Sequence, residues 1–251
     1  MTEFPTRIRN VTLIVNDLAR MTEFYQRAIG LEVLTRDGSE AILGAGDAPF
    51  LTLRADPTAR RASPSEAGLF HTAFLLPTRS SLGAWLRHAS DSRLRLGAAD
   101  HDVSEALYLH DPEGNGIEIY CDRPKAGWIW TDGLVKMGTY ALDLDDLART
   151  GGEWRGMPTG ATIGHVHLQV GAIPPEEEFF GTLGAAVTHR YPGASFLSWD
   201  GYHHHIAANV WNSRNAVPRM GPVTGLAQVD LNLEHLKGIV VDPWNIPFAL
   251  S

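Results

Sequence analysis

The sequence lacks the features that mark several classes of protein. It has one cysteine in 251 residues, Cys121, which excludes an intrachain disulfide and a cysteine-rich zinc site. No apolar run approaches the ~20 residues that a membrane-spanning helix needs, so we expect no membrane partner. Acidic residues outnumber basic ones by 29 to 21, and no basic run is interleaved with aromatic residues, so we expect no nucleic-acid partner. These absences favour a small-molecule ligand.

The N-terminus, MTEFPTRIRN, is charged and polar and lacks the apolar segment of a signal peptide. Together with the single cysteine, this predicts a cytoplasmic location. The composition is 44% hydrophobic and 20% charged, which is typical of a globular protein. A chain of this length is long enough for one large domain or two small ones.

A unit of one strand, one helix and three short strands opens the chain. Residues 11–15 form a short apolar strand, and Asn16 and Asp17 provide a helix cap. Apolar residues at helical spacing then run from 18 to 29, where Gly30 ends the helix. Candidate strands follow at residues 32–35, 41–43 and 50–54.

The same pattern returns later in the chain. NVTLIVNDL at 10–18 aligns with HVHLQVGAI at 165–173, and GLFHTAFLLP at 68–77 aligns with GLAQVDLNLE at 225–234. Internal repetition is a stronger indication of architecture than local propensity, so we predict an α+β fold of four βαβββ modules that form curved mixed sheets around a metal site. The fourth module is truncated, because too few residues separate its opening strand from its closing segment for a helix.

The modules are expected to form two pairs. We predict an N-terminal pair over residues 1–125, a linker over 126–160 with a short helix near 143–149, and a C-terminal pair over 161–251. A homo-oligomer would cover the sheet edge that the truncated module exposes.

Two histidines and one glutamate lie on opening or closing strands of these modules: His71, Glu118 and His165. Alternating side chains of a strand can face the inside of a curved sheet. Two neutral imidazoles and one carboxylate on one face are the set that binds non-haem Fe(II) and leaves positions open for substrate and oxygen. The same donors accept Mn(II). His167 shares the face of His165 and is an alternative ligand, and strand histidines are more often hydrogen-bonded wall residues than ligands.

The repeat indicates which modules could form this site. Modules one and four have Asn10 and Gln228 where modules two and three have histidines, and module four has Phe248 or Ala249 at the position of Glu118. Only modules two and three together supply all three ligands. We therefore predict that the site lies between them, either within one chain or across a dimer.

Three segments resemble the vicinal oxygen chelate superfamily: GLFHTAFLLP, DHDVSEALYLHDPEGNGIEIYCDRP and GHVHLQV. Within it, the chain looks most like the bacterial catechol 2,3-dioxygenases of the type I extradiol group. The resemblance implies that Fe(II), held by His71, Glu118 and His165, supports extradiol cleavage of a small aromatic diol by O2. DPEGNGIEIY is also found in the superfamily's glyoxalases and resistance proteins.

The resemblance also implies residues for proton transfer. Extradiol enzymes carry an acid-base histidine in a histidine pair that closes the module of the first ligand, and GYHHHIAANVW closes the module of His165. His204 is the best positional match. Strand alternation would place His203 and His205 on the opposite face, and a register shift of one residue would select one of these instead.

Further residues have weaker assignments. The family places a His and a Tyr upstream of the ligand Glu, near the substrate oxygens, and His101 and Tyr108 are the matching positions. We expect His88, His110 and His189 on the surface or in loops. The tryptophans are candidates either for an aromatic pocket or for the core, and these are Trp128, Trp130, Trp199, Trp211 and Trp244.

Two other functions fit the same fold, because one scaffold hosts many chemistries. A glyoxalase-like metal-dependent lyase or isomerase generally has two carboxylates among four protein ligands, and the closing strand of module three offers no glutamate. A non-catalytic small-molecule-binding protein of the resistance type would not need a complete ligand triad. The substrate stays open between a catechol and a hydroquinone.

Overall fold

The computed structural model describes residues 6–251. The first five residues, on which part of the signal-peptide expectation rests, lie outside this range. Across residues 6–251, no helix has both the length and the apolar character needed to cross a membrane.

Two successive segments each contain one strand, one helix and three further strands. The first comprises β1 (Arg7–Val15), α1 (Leu18–Phe24, continued by a π-helical turn at Tyr25–Ile29), β2 (Glu32–Arg36), β3 (Glu40–Ala45) and β4 (Ala48–Ala55). The second comprises β5 (Gly68–Leu75), α2 (Arg79–Asp91), β6 (Gly97–Asp100), β7 (Ser104–His110) and β8 (Gly116–Asp122).

A connection and two further segments follow. The connection contains a 3-10 turn (Lys125–Gly127), β9 (Trp130–Thr131), β10 (Leu134–Val135) and α3 (Leu144–Thr150). The third segment comprises β11 (Thr162–Gln169), α4 (Ile173–Thr182), β12 (Ala186–Tyr191), β13 (Ala194–Ser198) and β14 (Ile206–Asn209). The last comprises β15 (Gly225–Asn232), β16 (Gly238–Val241) and β17 (Pro247–Leu250), with no helix between residues 225 and 251. The predicted α+β fold class is confirmed.

Local sequence explains where the helices begin and end. Asp17 caps α1 by accepting a hydrogen bond from the Arg20 backbone N–H, and Gly30, at φ 83°, ends the π-helical turn. Thr78 caps α2 in the same way, and Leu82 and Trp85 on its inner face are fully buried. α1, α2 and α4 each pack against a strand of their own segment, so each buries its apolar stripe against the sheet.

Fifteen strands form one sheet, in which opening strands from different segments lie side by side. β1 pairs antiparallel with β15, and β5 pairs antiparallel with β11. Each opening strand also pairs in parallel with the closing strand of its own segment, as β5 does with β8. The second and third segments therefore adjoin within one chain. The division into 1–125, 126–160 and 161–251 stays a prediction.

Two buried carboxylic acids lie away from the opening strands. Glu176 on α4 has no exposed surface, and neither carboxyl oxygen has a hydrogen-bond partner among residues 6–251. Asp242 precedes β17, and its Oδ1 accepts hydrogen bonds from the Trp244 and Ile246 backbone N–H groups while its Oδ2 has no partner. Burial raises the pKa of Glu176, with added repulsion from Asp242, and burial raises the pKa of Asp242 to about 6.

Replacing both acids by amides, Glu176→Gln with Asp242→Asn, is expected to raise the free energy of unfolding relative to wild type increasingly as the pH rises. Because the folded-state pKa of Asp242 is about 6 and its ordinary value is 3.8, the wild type has its full stability below pH 4 and loses part of it as the pH rises through 6, whereas the double variant does not. The shift corresponds to roughly 3 kcal/mol. Chemical denaturation at pH 4 to 8 measures the difference.

Glu153→Gln is the control for this experiment, because Glu153 is exposed and its carboxylate is already solvated. Its difference from wild type should stay much smaller than that of the double variant at pH 8. A double-variant difference that is constant with pH would show that these buried acids do not titrate with raised pKa values.

Candidate metal centre

Three side chains from three adjacent strands meet on one face of the sheet. They are His71 on β5, Glu118 on β8 and His165 on β11. Ala73 of β5 is the register partner of both Glu118 and His165, and His71 lies two residues before Ala73 and so on the same face. Strand register alone therefore places all three side chains together.

The donor atoms of these residues converge closely. Glu118 Oε2 lies 2.9 Å from His71 Nε2 and 3.1 Å from His165 Nε2, and the two Nε2 atoms are 3.3 Å apart. An ion with bonds of about 2.1 Å at right angles would place neighbouring donors about 3.0 Å apart. All three residues are buried, and within residues 6–251 they are the one group of three such side chains close enough to share an ion. The donor set thus fits a single divalent metal.

The charge states suit metal binding. Burial lowers the pKa of His165 to about 4, although the neighbouring Glu118 opposes this shift. Burial on its own would raise the pKa of Glu118, but the His165 and His71 rings hold it well below its usual range. At neutral pH, His165 is neutral and Glu118 is ionised, so both have lone pairs available for a cation.

His167 stands next to this group and outside it. It is the register partner of His71 across β5 and β11, and the two rings are 4.8 Å apart. Its Nε2 lies 3.0 Å from the Asn209 side-chain amide nitrogen and is hydrogen-bonded to it. Burial lowers its pKa well below the usual value, with a further contribution from His71. The structure therefore groups His165, and not His167, with His71 and Glu118.

The histidine cluster at 203–205 is not part of a strand. β14 begins at Ile206, so the expected alternation of faces over these three residues is wrong. The chain is irregular here, and all three side chains are buried. His204 borders the cavity, and its ring lies 4.2 Å from that of His165.

Hydrogen bonds orient the His204 ring. His203 Nε2 lies 3.0 Å from Asp122 Oδ1, and a carboxylate oxygen only accepts, so His203 donates from Nε2. In a neutral His203, Nδ1 is then an acceptor, and His204 Nδ1 donates to it across 2.8 Å. His204 Nε2 therefore keeps its lone pair. Burial, with the nearby His165 ring, lowers the pKa of His204 well below its usual value.

His101 and Tyr108 form a second hydrogen-bonded pair at the cavity. Tyr108 on β7 is the register partner of Glu118 on β8. His101 Nδ1 lies 2.7 Å from the Gly138 carbonyl oxygen and must donate to it, so Nε2 of the neutral ring accepts from the Tyr108 hydroxyl across 2.7 Å. Burial, together with the Glu118 charge, raises the pKa of Tyr108 well above its usual value. Tyr108 is thus a neutral phenol.

These residues border one cavity of about 900 Å³. All six residues predicted for the site border it, namely His71, His101, Tyr108, Glu118, His165 and His204. Four further aromatic side chains line it: Phe70, Tyr191, Phe196 and Trp211, the last being the one predicted tryptophan that does so. His189 was expected on the surface or in a loop, and this is wrong: it lies in β12, borders the cavity and bonds through Nδ1 to the Val135 carbonyl oxygen. Strand pairing brings His189 and these aromatic side chains to the cavity, so local sequence did not reveal that they border it.

Glu118→Gln is expected to weaken binding of one divalent ion per chain by at least about 100-fold, because the loss of a direct ligand should exceed the 10–100-fold cost of losing an outer partner. Anaerobic calorimetry with Fe(II) or Mn(II) measures the affinity. His235→Gln is the control, because His235 is 91% exposed and does not border the cavity, and it should bind like wild type. Unchanged affinity in Glu118→Gln would place the ion elsewhere.

Comparison with known proteins gives the following matches. Residues 7–119 match the model of the Glyoxalase/Bleomycin resistance protein/Dioxygenase superfamily. A catechol-2,3-dioxygenase of Bacillus subtilis (strain 168) is 39% identical over 238 residues, which cover 92% of this chain and 84% of the relative. A biphenyl-2,3-diol 1,2-dioxygenase 3 of Rhodococcus globerulus is 28% identical over 121 residues, which cover 47% of this chain and 64% of the relative.

Two solved structures share the fold over nearly the whole chain. The cppA protein from Streptococcus pneumoniae TIGR4 superimposes with a TM-score of 0.61 at 13% identity, covering 98% of this chain and 97% of that one. Glyoxalase I from Zea mays superimposes with a TM-score of 0.56 at 14% identity, covering 98% and 92%. At these identities the likeness concerns the fold alone.

Proposed function

Because the chain belongs to the glyoxalase/bleomycin resistance/dioxygenase (vicinal oxygen chelate) superfamily, we propose that it is an Fe(II)-dependent extradiol dioxygenase of a catechol-type aromatic. One observation carries the proposal: the donor atoms of His71, Glu118 and His165 converge at the wall of a cavity of about 900 Å³. The name of the 39% identical relative supports the same reaction class. The substrates would be a small aromatic diol and O2.

The three side chains match the requirements of the metal. Two neutral imidazoles and one carboxylate would hold Fe(II) and leave its other positions to the cavity, and the same donors accept Mn(II). When bound, Fe(II) supplies Lewis acidity toward the diol oxygens and a redox-active centre for O2. The cytoplasmic location and the homo-oligomeric state expected from the sequence stay predictions.

We propose His204 as the acid-base residue. Its Nδ1–H is donated to His203, so the Nε2 lone pair is free to accept a proton from a diol hydroxyl. The Asp122 carboxylate orients His203 and thereby keeps His204 in this tautomer. Protonated His204 would return its proton as the ring opens. Burial, with a smaller contribution from the His165 ring, makes the charged His204 ring unfavourable, which favours that return.

We propose that Tyr108 and His101 act on the substrate oxygens. The Tyr108 phenol stays protonated beside Glu118, so it would serve as a neutral hydrogen-bond donor or acceptor and not as a base. His101 fixes the direction of the phenol O–H, and the Gly138 carbonyl fixes His101 in turn. With its O–H donated to His101, the phenol would present an acceptor oxygen to a substrate hydroxyl, and it would donate to a developing oxyanion only after the O–H turns away from His101.

The two alternative functions have less support. A glyoxalase-type lyase generally uses two carboxylates among four protein ligands, whereas the group in residues 6–251 has one carboxylate and two histidines. A metal-free binding protein would not need two histidines and a glutamate buried with their donor atoms about 3 Å apart, because burying a carboxylate is costly unless it is paired.

Oxygen uptake distinguishes these functions. Protein loaded anaerobically with Fe(II) and given a panel of catechols is expected to consume O2 and form a yellow ring-fission product, whereas Glu118→Ala should do neither. The hemithioacetal of methylglyoxal and glutathione, given to Ni(II)- or Zn(II)-loaded protein, tests the lyase alternative. No O2 uptake with any catechol, despite bound iron, would refute the dioxygenase proposal.

His204→Phe is expected to lower kcat by about 100-fold or more while changing the iron affinity by less than about threefold, because His204 moves protons and is not a metal ligand. Steady-state kinetics and anaerobic iron titration give the two values. His235→Phe is the control and should keep both values, because His235 is exposed and does not border the cavity. Equal losses of turnover and iron affinity in His204→Phe would refute the acid-base role.

A further inference from the structure

His167 is a buried polar residue in the cavity wall to which the proposed function assigns no role. It lies on β11 two residues after His165, so both rings face the same side of the strand. The residue is 4% exposed and borders the cavity. A histidine in this position has to satisfy both ring nitrogens or direct one of them toward a ligand.

A chain of hydrogen bonds determines which nitrogen carries the proton. The Trp211 backbone N–H donates to Asn209 Oδ1 across 3.1 Å, which fixes the orientation of the Asn209 amide. The Asn209 NH2 group therefore points to His167 Nε2, at 3.0 Å. An amide NH2 only donates, so His167 Nε2 accepts and the proton of the neutral ring is on Nδ1.

The Nδ1–H group itself has no hydrogen-bond partner among residues 6–251. Among residues 6–251, the Asn209 contact is the only hydrogen bond made by the His167 side chain. Aromatic rings surround it: Phe70 lies at 4.9 Å, Trp211 at 5.6 Å and Phe196 at 5.9 Å between ring centroids. The group is therefore a single neutral donor beside three aromatic side chains, and its remaining ring neighbour is the candidate ligand His71 at 4.8 Å.

This part of the cavity offers little to a charged substituent. The one arginine that borders the cavity, Arg219, donates from its guanidinium to the carbonyl oxygens of Val223, Thr224 and Leu226. A carboxylate on the substrate would need a free cation to offset its desolvation. A volume of about 900 Å³ lies in the upper range for pockets that hold drug-sized ligands, and it leaves space beyond a single diol ring.

We propose that His167 determines substrate specificity by donating from Nδ1–H to an uncharged acceptor, such as a ketone or ether oxygen, on a ring substituent of the substrate. This rests on the proposed dioxygenase function. The substrate class would be catechols with a bulky, uncharged substituent that carries an acceptor oxygen. Asn209 is a positioning residue, because it acts only by holding the His167 tautomer.

Two nearly isosteric substrates test the donor. Acetylcatechol has a carbonyl acceptor where isopropylcatechol has none, and both the 3- and 4-substituted isomers are compared. We expect His167→Phe to lower the ratio of kcat/KM for acetylcatechol to that for isopropylcatechol by at least about tenfold. Because ring electronics are the same in every variant, a change in this ratio reports the protein contact. His167→Gln retains an N–H donor and should recover part of the ratio.

His189→Phe is the matched control. It removes a second cavity histidine whose Nδ1–H is already donated to the Val135 carbonyl, so the ratio should stay within about twofold of wild type. An unchanged ratio in His167→Phe, or an equal fall in His189→Phe, would refute the proposal.

A spectroscopic measurement tests the tautomer without turnover. Histidine 15N NMR of the metal-free protein, with His167 assigned from its missing signals in His167→Phe, should show a protonated Nδ1 and an unprotonated Nε2. Asn209→Leu should lose this preference. A wild-type ring protonated at Nε2 would overturn the proposal.

Failure of the proposed function is distinguishable from failure of this inference. If the wild type consumes no O2 with any catechol, the dioxygenase assignment falls. In that case, the affinities of the Mn(II)-loaded protein for acetylcatechol and isopropylcatechol are measured by anaerobic calorimetry, and their ratio replaces the ratio of kcat/KM values. A ratio that favours acetylcatechol in the wild type and is lost in His167→Phe supports the donor role, and a ratio unaffected by the substitution rejects it.

Discussion

The candidate centre depends on the antiparallel pairing of β5 with β11. This ladder joins the second and third segments and places His165 opposite Ala73, while the parallel ladder between β5 and β8 places Glu118 beside the same residue. A slip of one residue in either ladder would turn a ligand to the other face of the sheet. Backbone hydrogen bonds along two strand pairs thus set the distances between the donor atoms, and the cavity forms in front of that face.

Groups that can only accept or only donate a hydrogen bond determine which ring nitrogen carries the proton in four histidines at or beside this cavity. The Gly138 carbonyl orients His101, the Asp122 carboxylate orients His203 and through it His204, and the Asn209 amide orients His167. Each of these contacts is made between protein groups and is present before any ligand enters. Little reorganisation is then needed when charge develops, and in a buried site such oriented groups act more strongly than they would in water.

Much of the fold and part of the site could be predicted from the sequence, because strand periodicity and helix caps are local properties. The Asp17 cap and the Gly30 stop define the first helix, and the internal repeat placed His71 and His165 on equivalent opening strands. Residues 203–205 continue into a strand and look like part of it, but contacts with Asp122 hold them in an irregular segment. The role of Asn209 depends on the Trp211 backbone and on strand pairing, neither of which local sequence reveals.

The nested strand pairing also has a consequence for how the chain folds during synthesis. Among the described strands, β1 is made before all others and its antiparallel partner, β15, after most of them, whereas β5 and β11 lie closer together in the chain. The pairing of β5 with β11, which carry two of the candidate ligands, can therefore form while one edge of β1 is still unpaired. Pairings between distant strands are slow to form and leave unpaired edges in the meantime. The growing chain would thus expose an edge of β1 to other chains until β15 is made.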